Sequence, residues 1–344
     1  MTFLRRLATA AFLAATVLVV ARPVGAQTTP TVTVSGLVYA QYQYLASDTL
    51  AHYNAFDVTR AYLTAQGVFP HGVAARITGD VFRAADGSID YRLKYAYFQW
   101  RPTDKAPVDF RFGQTQTPWL DWQEGMYVYR FEGTMPMERA GYITSSDLGL
   151  AMDFFSKDQA FNGSVGVYNG EGYHGAEGGQ HKDVEARASL RLLPSDLAGP
   201  RGGLRVSGYA GIGATDPAGL ARQRYIGQLS YASNMFTVAG EFGATRDGGA
   251  GTTSDVDGRV ISGWGWLSLP GSPASVLLRV DHVDPNTSAG DDASTRFIGG
   301  LGYVLTPNIR LLADVDAVSY QAATLTAAQQ KQKTALQFQT QFSF

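Results

Sequence analysis

Polar and apolar side chains alternate along most of this chain, and a period of two predicts β-strands. In residues 334–344, TALQFQTQFSF, the apolar Leu336, Phe338 and Phe342 alternate with polar residues such as Gln337 and Gln339. Each such strand therefore has one apolar and one polar face. No helical period dominates any long stretch after residue 26, so the pattern predicts an all-β protein.

The alternating segments have a regular length and spacing. We predict sixteen strands, at residues 32–46, 56–69, 73–83, 91–101, 108–117, 148–155, 161–168, 183–193, 204–214, 222–231, 236–246, 258–269, 275–284, 294–305, 309–320 and 333–344. The connections after even-numbered strands are short and rich in Pro, Gly, Asn and Ser, whereas those after odd-numbered strands are longer and more polar. This asymmetry is typical of transmembrane barrels, which have short periplasmic turns and longer outer loops.

Charged residues in the middle of these strands indicate which face is enclosed. A charge that faces lipid at the bilayer midplane costs about 2–4 kcal/mol, so the polar face should point into a lumen. Closure is required in lipid because an open sheet edge leaves backbone groups unpaired. We therefore predict a transmembrane antiparallel up-and-down β-barrel of about 16 strands over residues 27–344, wide enough for an aqueous channel. The alternative is a soluble β-sandwich or propeller.

Residues 1–26 have the pattern of a secretory signal peptide. Arg5 and Arg6 precede an apolar stretch at 7–20, and a small-residue cleavage site ends at Ala26. The alternative, a membrane-anchoring helix, would need a longer apolar run. Residues 27–344 carry 25 basic and 30 acidic side chains, a net charge of about −5, which argues against a nucleic-acid partner. The chain has no cysteine, which argues against a thiol enzyme or a disulfide-stapled domain.

The polar face carries a set of basic residues that we predict to line the pore. They are Arg60, Arg76, Arg92, Lys94, Arg111, Arg187, Arg205, Arg224, Arg279, Arg296 and Arg310. Guanidinium groups bind carboxylates and phosphates through paired hydrogen bonds, so these residues could form a ladder that guides anions. Eight acidic residues share the same face, so the arginines could instead form ion pairs that brace the wall. Both interpretations stay open, and so does the question of which face of the fourth and twelfth strands is the apolar one.

The segment 118–147 is the longest stretch without strand pattern, and loops of that length are usually functional or disordered. Its tryptophans, tyrosines and phenylalanine argue against disorder. We predict that it folds into the lumen and narrows the pore, with constriction charges at Asp121, Glu124, Arg130, Glu132, Glu138 and Arg139. The alternative is a lid over the mouth of the barrel.

Several motifs between residues 54 and 193 resemble the phosphate-selective porin O/P family. They are FDVTRAYL at 56–63, LKYAYFQWRP at 93–102, FGQTQTPW at 112–119, MER at 137–139, DLG at 147–149 and GVYNG at 166–170. The resemblance implies a sixteen-stranded porin, usually trimeric, with its third outer loop folded inward and basic side chains that set anion preference. The chain departs from the family at Gln116, where lysine is common, and its insert contains no lysine.

Together these features predict an outer-membrane porin for small hydrophilic solutes, with anions such as phosphate among them. The expected partners are membrane lipid and lipopolysaccharide, further copies in a homotrimer, and the barrel-assembly machinery through the aromatic Phe344. No catalytic residue, metal site or cofactor is predicted. The alternatives are a barrel hydrolase, for which His282 beside Asp281 is the strongest candidate base, and a structural or adhesive barrel.

Overall fold

A computed structural model describes residues 29–84, 86–103, 105, 107–176, 178–215, 219–248 and 254–344. Within these residues, sixteen antiparallel strands form one closed barrel, in which each strand pairs with its neighbours in sequence and β1 pairs with β16. The barrel closes through pairs such as Tyr39 with Gln341 and Gln43 with Gln337. The signal peptide predicted at 1–26 lies outside the described residues.

The strands have the following bounds: β1 Thr31–Leu45, β2 Asn54–Phe69, β3 Val73–Arg83, β4 Ile89–Trp100, β5 Val108–Gln116, β6 Ser146–Phe155, β7 Phe161–Tyr168, β8 Asp183–Arg191, β9 Gly203–Ala214, β10 Ala221–Ala232, β11 Phe236–Gly248, β12 Asp255–Ser268, β13 Ala274–Asp284, β14 Ser294–Thr306, β15 Ile309–Tyr320 and β16 Thr334–Ser343. These bounds confirm the predicted strands, and no end differs by more than three residues. The sixteen-stranded all-β barrel is therefore confirmed.

The barrel wall exposes its apolar side chains and encloses its polar ones, which is the reverse of the arrangement in a soluble protein. In β11, the apolar Val238 and Phe242 are exposed, while Thr237, Glu241 and Thr245 on the other face are buried. The same alternation recurs from β8 to β13. A closed barrel with an apolar outer face and a polar enclosed face can pair all its strand hydrogen bonds while surrounded by lipid.

A β-bulge in β4 determines which side chains of this strand face the inside of the barrel, a question that the sequence left open. The pairing between β3 and β4 shifts by one residue between Thr78 and Gly79, so that Thr78 pairs with Tyr95 and Gly79 with Leu93. A bulge places one extra residue on one strand. Here that residue is Lys94, and both Lys94 and Tyr95 are buried. The apolar pattern therefore changes parity within this strand.

The few helices lie in the connections. They are α1 Leu120–Glu124, α2 Pro136–Arg139 and α3 Ala327–Lys331, with 3-10 turns at Pro70–Gly72 and Arg130–Glu132. Thr326 caps α3 by accepting a hydrogen bond from the backbone of Gln329. Within the part of the chain that the structure describes, no helix is long and apolar enough to span a bilayer.

Candidate functional site

The segment 118–147, between β5 and β6, packs against the polar face of the barrel wall. Five of its six aromatic side chains are buried, Tyr142 is partly buried, and Trp119 and Tyr127 are each 1% exposed. The Trp119 ring lies 6.0 Å from the ring of Tyr209 on β9, and the Tyr127 ring lies 5.1 Å from that of Trp264 on β12. These contacts bury apolar rings that water would otherwise surround, so hydrophobic burial holds the segment to the wall.

Hydrogen bonds from successive strands reach the backbone of this segment. Arg187 on β8 donates to the carbonyl of Pro118 at 2.9 Å, and Arg224 on β10 donates to that of Tyr142 at 2.8 Å. Further along the wall, Trp266 on β12 and Arg310 on β15 donate to the carbonyls of Met126 and Val128 at 3.3 and 3.2 Å. The side chain of Gln123 also bonds those of Gln228 and Glu241. These contacts satisfy buried or partly buried polar groups, and they fix the path of the segment against five strands, β8, β10, β11, β12 and β15.

An ion-pair cluster anchors the middle of the segment to β13. Arg279 donates to Glu132 at 2.5 Å and to the backbone of Thr134 at 2.8 Å, and its Nη2 lies 2.7 Å from Asp281. Arg139 lies 3.2 Å from Glu132 and 3.6 Å from Asp281. Glu132 and Arg139 were predicted as constriction charges, and the structure places both in this cluster.

Arg130 joins two more of the predicted acidic residues within the segment, Glu124 and Glu138. It donates to Glu124 and to Glu138, both at 2.7 Å. Burial raises the pKa of the Glu124 carboxyl, but the charges of Arg130, Lys94 and Arg60 outweigh burial and hold that pKa below its usual range. Glu124 therefore interacts with the wall formed by β2 and β4. Asp121 is exposed and lies 3.9 Å from Arg201.

Three predicted cations on β2–β4 have aromatic and hydroxyl partners. Arg60 and Lys94 each donate to the Tyr62 hydroxyl at 2.7 Å, and Arg76 lies 4.4 Å from the centre of the Tyr95 ring. No carboxylate of a described residue lies within ion-pair distance of any of the three. We call Arg60, Arg76 and Lys94 the cationic strip.

Most of the other predicted pore-lining arginines are paired. Arg92 bonds Asp80 at 3.0 Å, Arg111 bonds Asp153 at 2.8 Å, Arg224 bonds Asp247 at 2.6 Å and Arg296 bonds Asp316 at 2.5 Å. Arg205 donates to backbone carbonyls, including that of Gly199 at 2.6 Å. The predicted arginines therefore divide into those that brace the wall through ion pairs and those with no described carboxylate at ion-pair distance.

Sequence reasoning missed a second connection that reaches the segment. In residues 194–202, between β8 and β9, the carbonyl of Pro200 accepts from Trp122 at 3.2 Å and from Asn162 at 3.0 Å. Arg201 donates to the carbonyl of Trp122 at 2.7 Å. The sequence contains no signal for this contact, since a Pro-Gly-rich stretch predicts only a turn.

His282 does not lie with the enclosed charges. It pairs with Thr295 across β13 and β14, where its Nδ1 is 3.0 Å from the threonine hydroxyl. Asp281, the residue before it, is on the enclosed face, so the strand alternation places His282 on the outer face. Among the described residues, no group of three potential metal ligands is present.

Comparison with known proteins supports the fold. A scan of family models and a search of curated proteins found no match. Among solved structures, an anion-selective porin from Comamonas acidovorans is 14% identical with a TM-score of 0.64, over 92% of this chain and 100% of that chain. OmpT, an outer-membrane protein of Vibrio cholerae solved in a trimer form, is 13% identical with a TM-score of 0.63, over the same shares.

A mutant of the Rh. blastica porin is also similar, at 12% identity and a TM-score of 0.55 over 91% of this chain and 100% of that chain. This chain has the fold of an outer-membrane β-barrel. At identities this low, the likeness concerns the path of the backbone, and function has to be argued from the residues of the lumen.

Proposed function

We propose that this protein is an outer-membrane porin through which small hydrophilic solutes diffuse passively, with a preference for anions. The proposal rests on one observation. The enclosed face of the barrel is polar, and segment 118–147 packs against one part of that face. We propose that this segment lies in the lumen and that the passage runs between it and the cationic strip. A sixteen-stranded barrel is wide enough to hold water beside such a segment.

The charge distribution supports a preference for anions. Arg60, Arg76 and Lys94 contribute positive charge with no described carboxylate at ion-pair distance. Asp80 on the same wall bonds Arg92, and Glu124 and Glu138 share Arg130. A narrow aqueous passage between low-dielectric walls strengthens the effect of such charges on ions. The motifs shared with the phosphate-selective porin family agree with this preference. We propose phosphate as one permeant anion, and the absence of lysine from segment 118–147 argues against a phosphate site of the usual family type.

The setting of the protein is part of the proposal. The apolar outer face suits membrane lipid, and lipopolysaccharide would then surround the outer loops. We propose a homotrimer by analogy with OmpT of Vibrio cholerae, which was solved in a trimer form. Recognition of Phe344 by the barrel-assembly machinery stays a prediction.

Planar-bilayer recording of the purified full chain tests the proposal. We expect stable conductance steps and, under a salt gradient, a reversal potential that indicates anions as the faster ions. Absence of conductance from correctly folded protein would overturn the porin. A cation preference would overturn only the anion preference.

The hydrolase alternative is tested on the same preparation. Phospholipid and peptide substrates should remain intact, because His282 lies on the outer face and no lumenal nucleophile pairs with it. Hydrolysis that is lost in His282→Ala would favour the enzyme.

A further inference from the structure

A small cavity lies beside the root of segment 118–147, outside the passage proposed above. Its volume is about 200 Å³, and its walls include the guanidinium groups of Arg111, Arg187 and Arg201. Gln159 and Pro200 also contribute, and they belong to the short connections β6–β7 and β8–β9. The cavity therefore lies at the short-turn end of the barrel, away from the long loops.

Arg187 brings a positive charge to this cavity, and no carboxylate of a described residue lies at ion-pair distance from it. It is 7% exposed, and it donates from Nε to the Pro118 carbonyl at 2.9 Å and from Nη1 to the Asn162 side chain at 2.8 Å. Within the described residues, no acidic group lies at ion-pair distance and Nη2 makes no hydrogen bond. A buried charge without a counter-ion is costly, so an anion in this cavity would relieve that cost.

Two further polar atoms of the cavity walls lack partners. Ser164 is 1% exposed, and its hydroxyl makes no hydrogen bond. The Nε of Arg111 is also buried without a partner, although the Nη2 of the same side chain holds Asp153 at 2.8 Å. Buried donors are nearly always satisfied in folded proteins. Arg111 on β5, Ser164 on β7 and Arg187 on β8 all line this cavity.

The balance of charge around the cavity favours one negative charge. The three arginines are opposed by two carboxylates, those of Asp153 and Asp121, which leaves one positive charge in excess. Guanidinium and hydroxyl groups together suit the several acceptor oxygens of a planar or tetrahedral oxyanion. We propose that this cavity binds one small oxyanion, a carboxylate or a phosphate, through Arg187, Ser164 and Arg111.

The β8–β9 connection covers the proposed site. Pro200 accepts hydrogen bonds from Trp122 and Asn162, and Arg201 donates to the backbone of Trp122 at 2.7 Å. The Trp122 ring also lies 5.1 Å from the guanidinium carbon of Arg187. Binding at Arg187 would therefore change the surroundings of this indole, which provides an optical readout.

Tryptophan fluorescence of the refolded full chain tests the site. Sodium phosphate and sodium acetate are titrated separately at constant ionic strength, with sodium chloride and sucrose as reference solutes. We expect a saturable change in tryptophan fluorescence with at least one oxyanion. This change should be lost in Trp122→Phe. Saturation by phosphate alone, by acetate alone or by both would each support the site and identify the group it accepts. A change that does not saturate with either would overturn it.

Variants separate binding from general electrostatics. Arg187→Gln should weaken the affinity about tenfold or more, because a charge-assisted hydrogen bond is lost. Ser164→Leu should weaken it as well by filling the cavity, without changing any charge. Arg259→Gln, at the paired rim residue of β12, serves as the matched control and should bind like the wild type.

Unchanged affinity in both Arg187→Gln and Ser164→Leu would contradict the proposal. Folding of each variant is checked by its resistance to SDS without heating, and a variant that fails this check is replaced by Asn162→Leu. Conductance recorded from the same samples keeps the two proposals distinct. A conducting barrel without saturable binding would overturn the cavity site and leave the porin in place.

Discussion

Arg279 on β13 donates a hydrogen bond of 2.5 Å to Glu132 in segment 118–147, and 147 residues of sequence separate the two. Both side chains are buried, and Arg279 also holds Asp281 on its own strand. The contact fixes the middle of the segment to one part of the wall. A charge pair of this kind is costly to break from one side only, because the remaining charge is left buried.

Removing the arginine should therefore loosen the segment. We expect Arg279→Gln to destabilise the folded barrel by about 3–5 kcal/mol. We also expect noisier single-channel conductance, since the segment would no longer have one position. Thermal unfolding followed by loss of SDS resistance measures the first effect, and bilayer recording the second.

The control for this prediction is an exposed ion pair near the end of β11. Arg246 lies 3.3 Å from Asp255, and the two side chains are 53% and 25% exposed. Such pairs contribute about 0–1 kcal/mol, so Arg246→Gln should leave both readouts nearly unchanged. Equal effects of the two variants would show that the anchor is no stronger than a surface pair.

The cationic strip should set ion preference. Arg76→Gln removes a charge that no described carboxylate balances, so the reversal potential in a salt gradient should shift toward cations. The matched control is the double variant Arg92→Gln with Asp80→Asn, which removes a bonded pair and leaves the net charge unchanged. Its reversal potential should stay near that of the wild type. If the reversal potential of the double variant shifts as far as that of Arg76→Gln, the cationic strip does not determine ion preference.

Glu124 should keep its negative charge at mildly acidic pH. Its pKa is lowered because Arg130, Lys94 and Arg60 outweigh the effect of burial, so protonation needs a pH below the ordinary glutamate value of about 4.3. Stabilisation from this carboxylate is therefore present above the unfolded-state pKa and is lost only as the pH falls through the lower folded-state pKa.

Glu124→Gln should make the channel more selective for anions. The difference from wild type in reversal potential should persist from about pH 7 to about pH 4.3. If the difference in reversal potential disappeared at a pH well above about 4.3, the lowered pKa of Glu124 would be contradicted.

Gly36 makes room for the aromatic ring of Phe344 on the outer face. A Cβ at Gly36 would overlap that ring, whereas a Cβ at Gly227 on β10 would meet nothing within 4 Å. We expect Gly36→Ala to displace Phe344 and to lower stability by about 1–3 kcal/mol, as overpacking does. Gly227→Ala is the control and should be neutral. Refolding yield in detergent and SDS resistance measure both, and equal behaviour would show that Phe344 moves at no cost.

The strand pattern was accessible from sequence because the bilayer imposes it. In β16, the alternation of Leu336 and Phe338 with glutamines reflects two different solvents on the two faces, lipid and lumen. In β4 the same argument left the orientation of the strand open, since the bulge at Lys94 changes the parity and such a shift has no reliable signature in one sequence. Segment 118–147 was recognisable in the sequence by its length and its aromatic residues. Its contact with residues 194–202 could not be predicted from the sequence.

Sequence alone therefore determined the class of fold, the strand count and the set of charges that belong to the polar face, because periodicity and the cost of charge in lipid depend on local order. Only the tertiary structure decided which charges are neutralised. Arg279 meets Glu132, while Arg60, Arg76 and Lys94 meet tyrosines and a threonine. Glu132 is 147 residues from Arg279, and Tyr62 is 32 residues from Lys94 on a separate strand, although Tyr62 and Thr78 lie only two residues from Arg60 and Arg76. Coulomb interactions depend on distances in space, which the register of the strands and the path of segment 118–147 set.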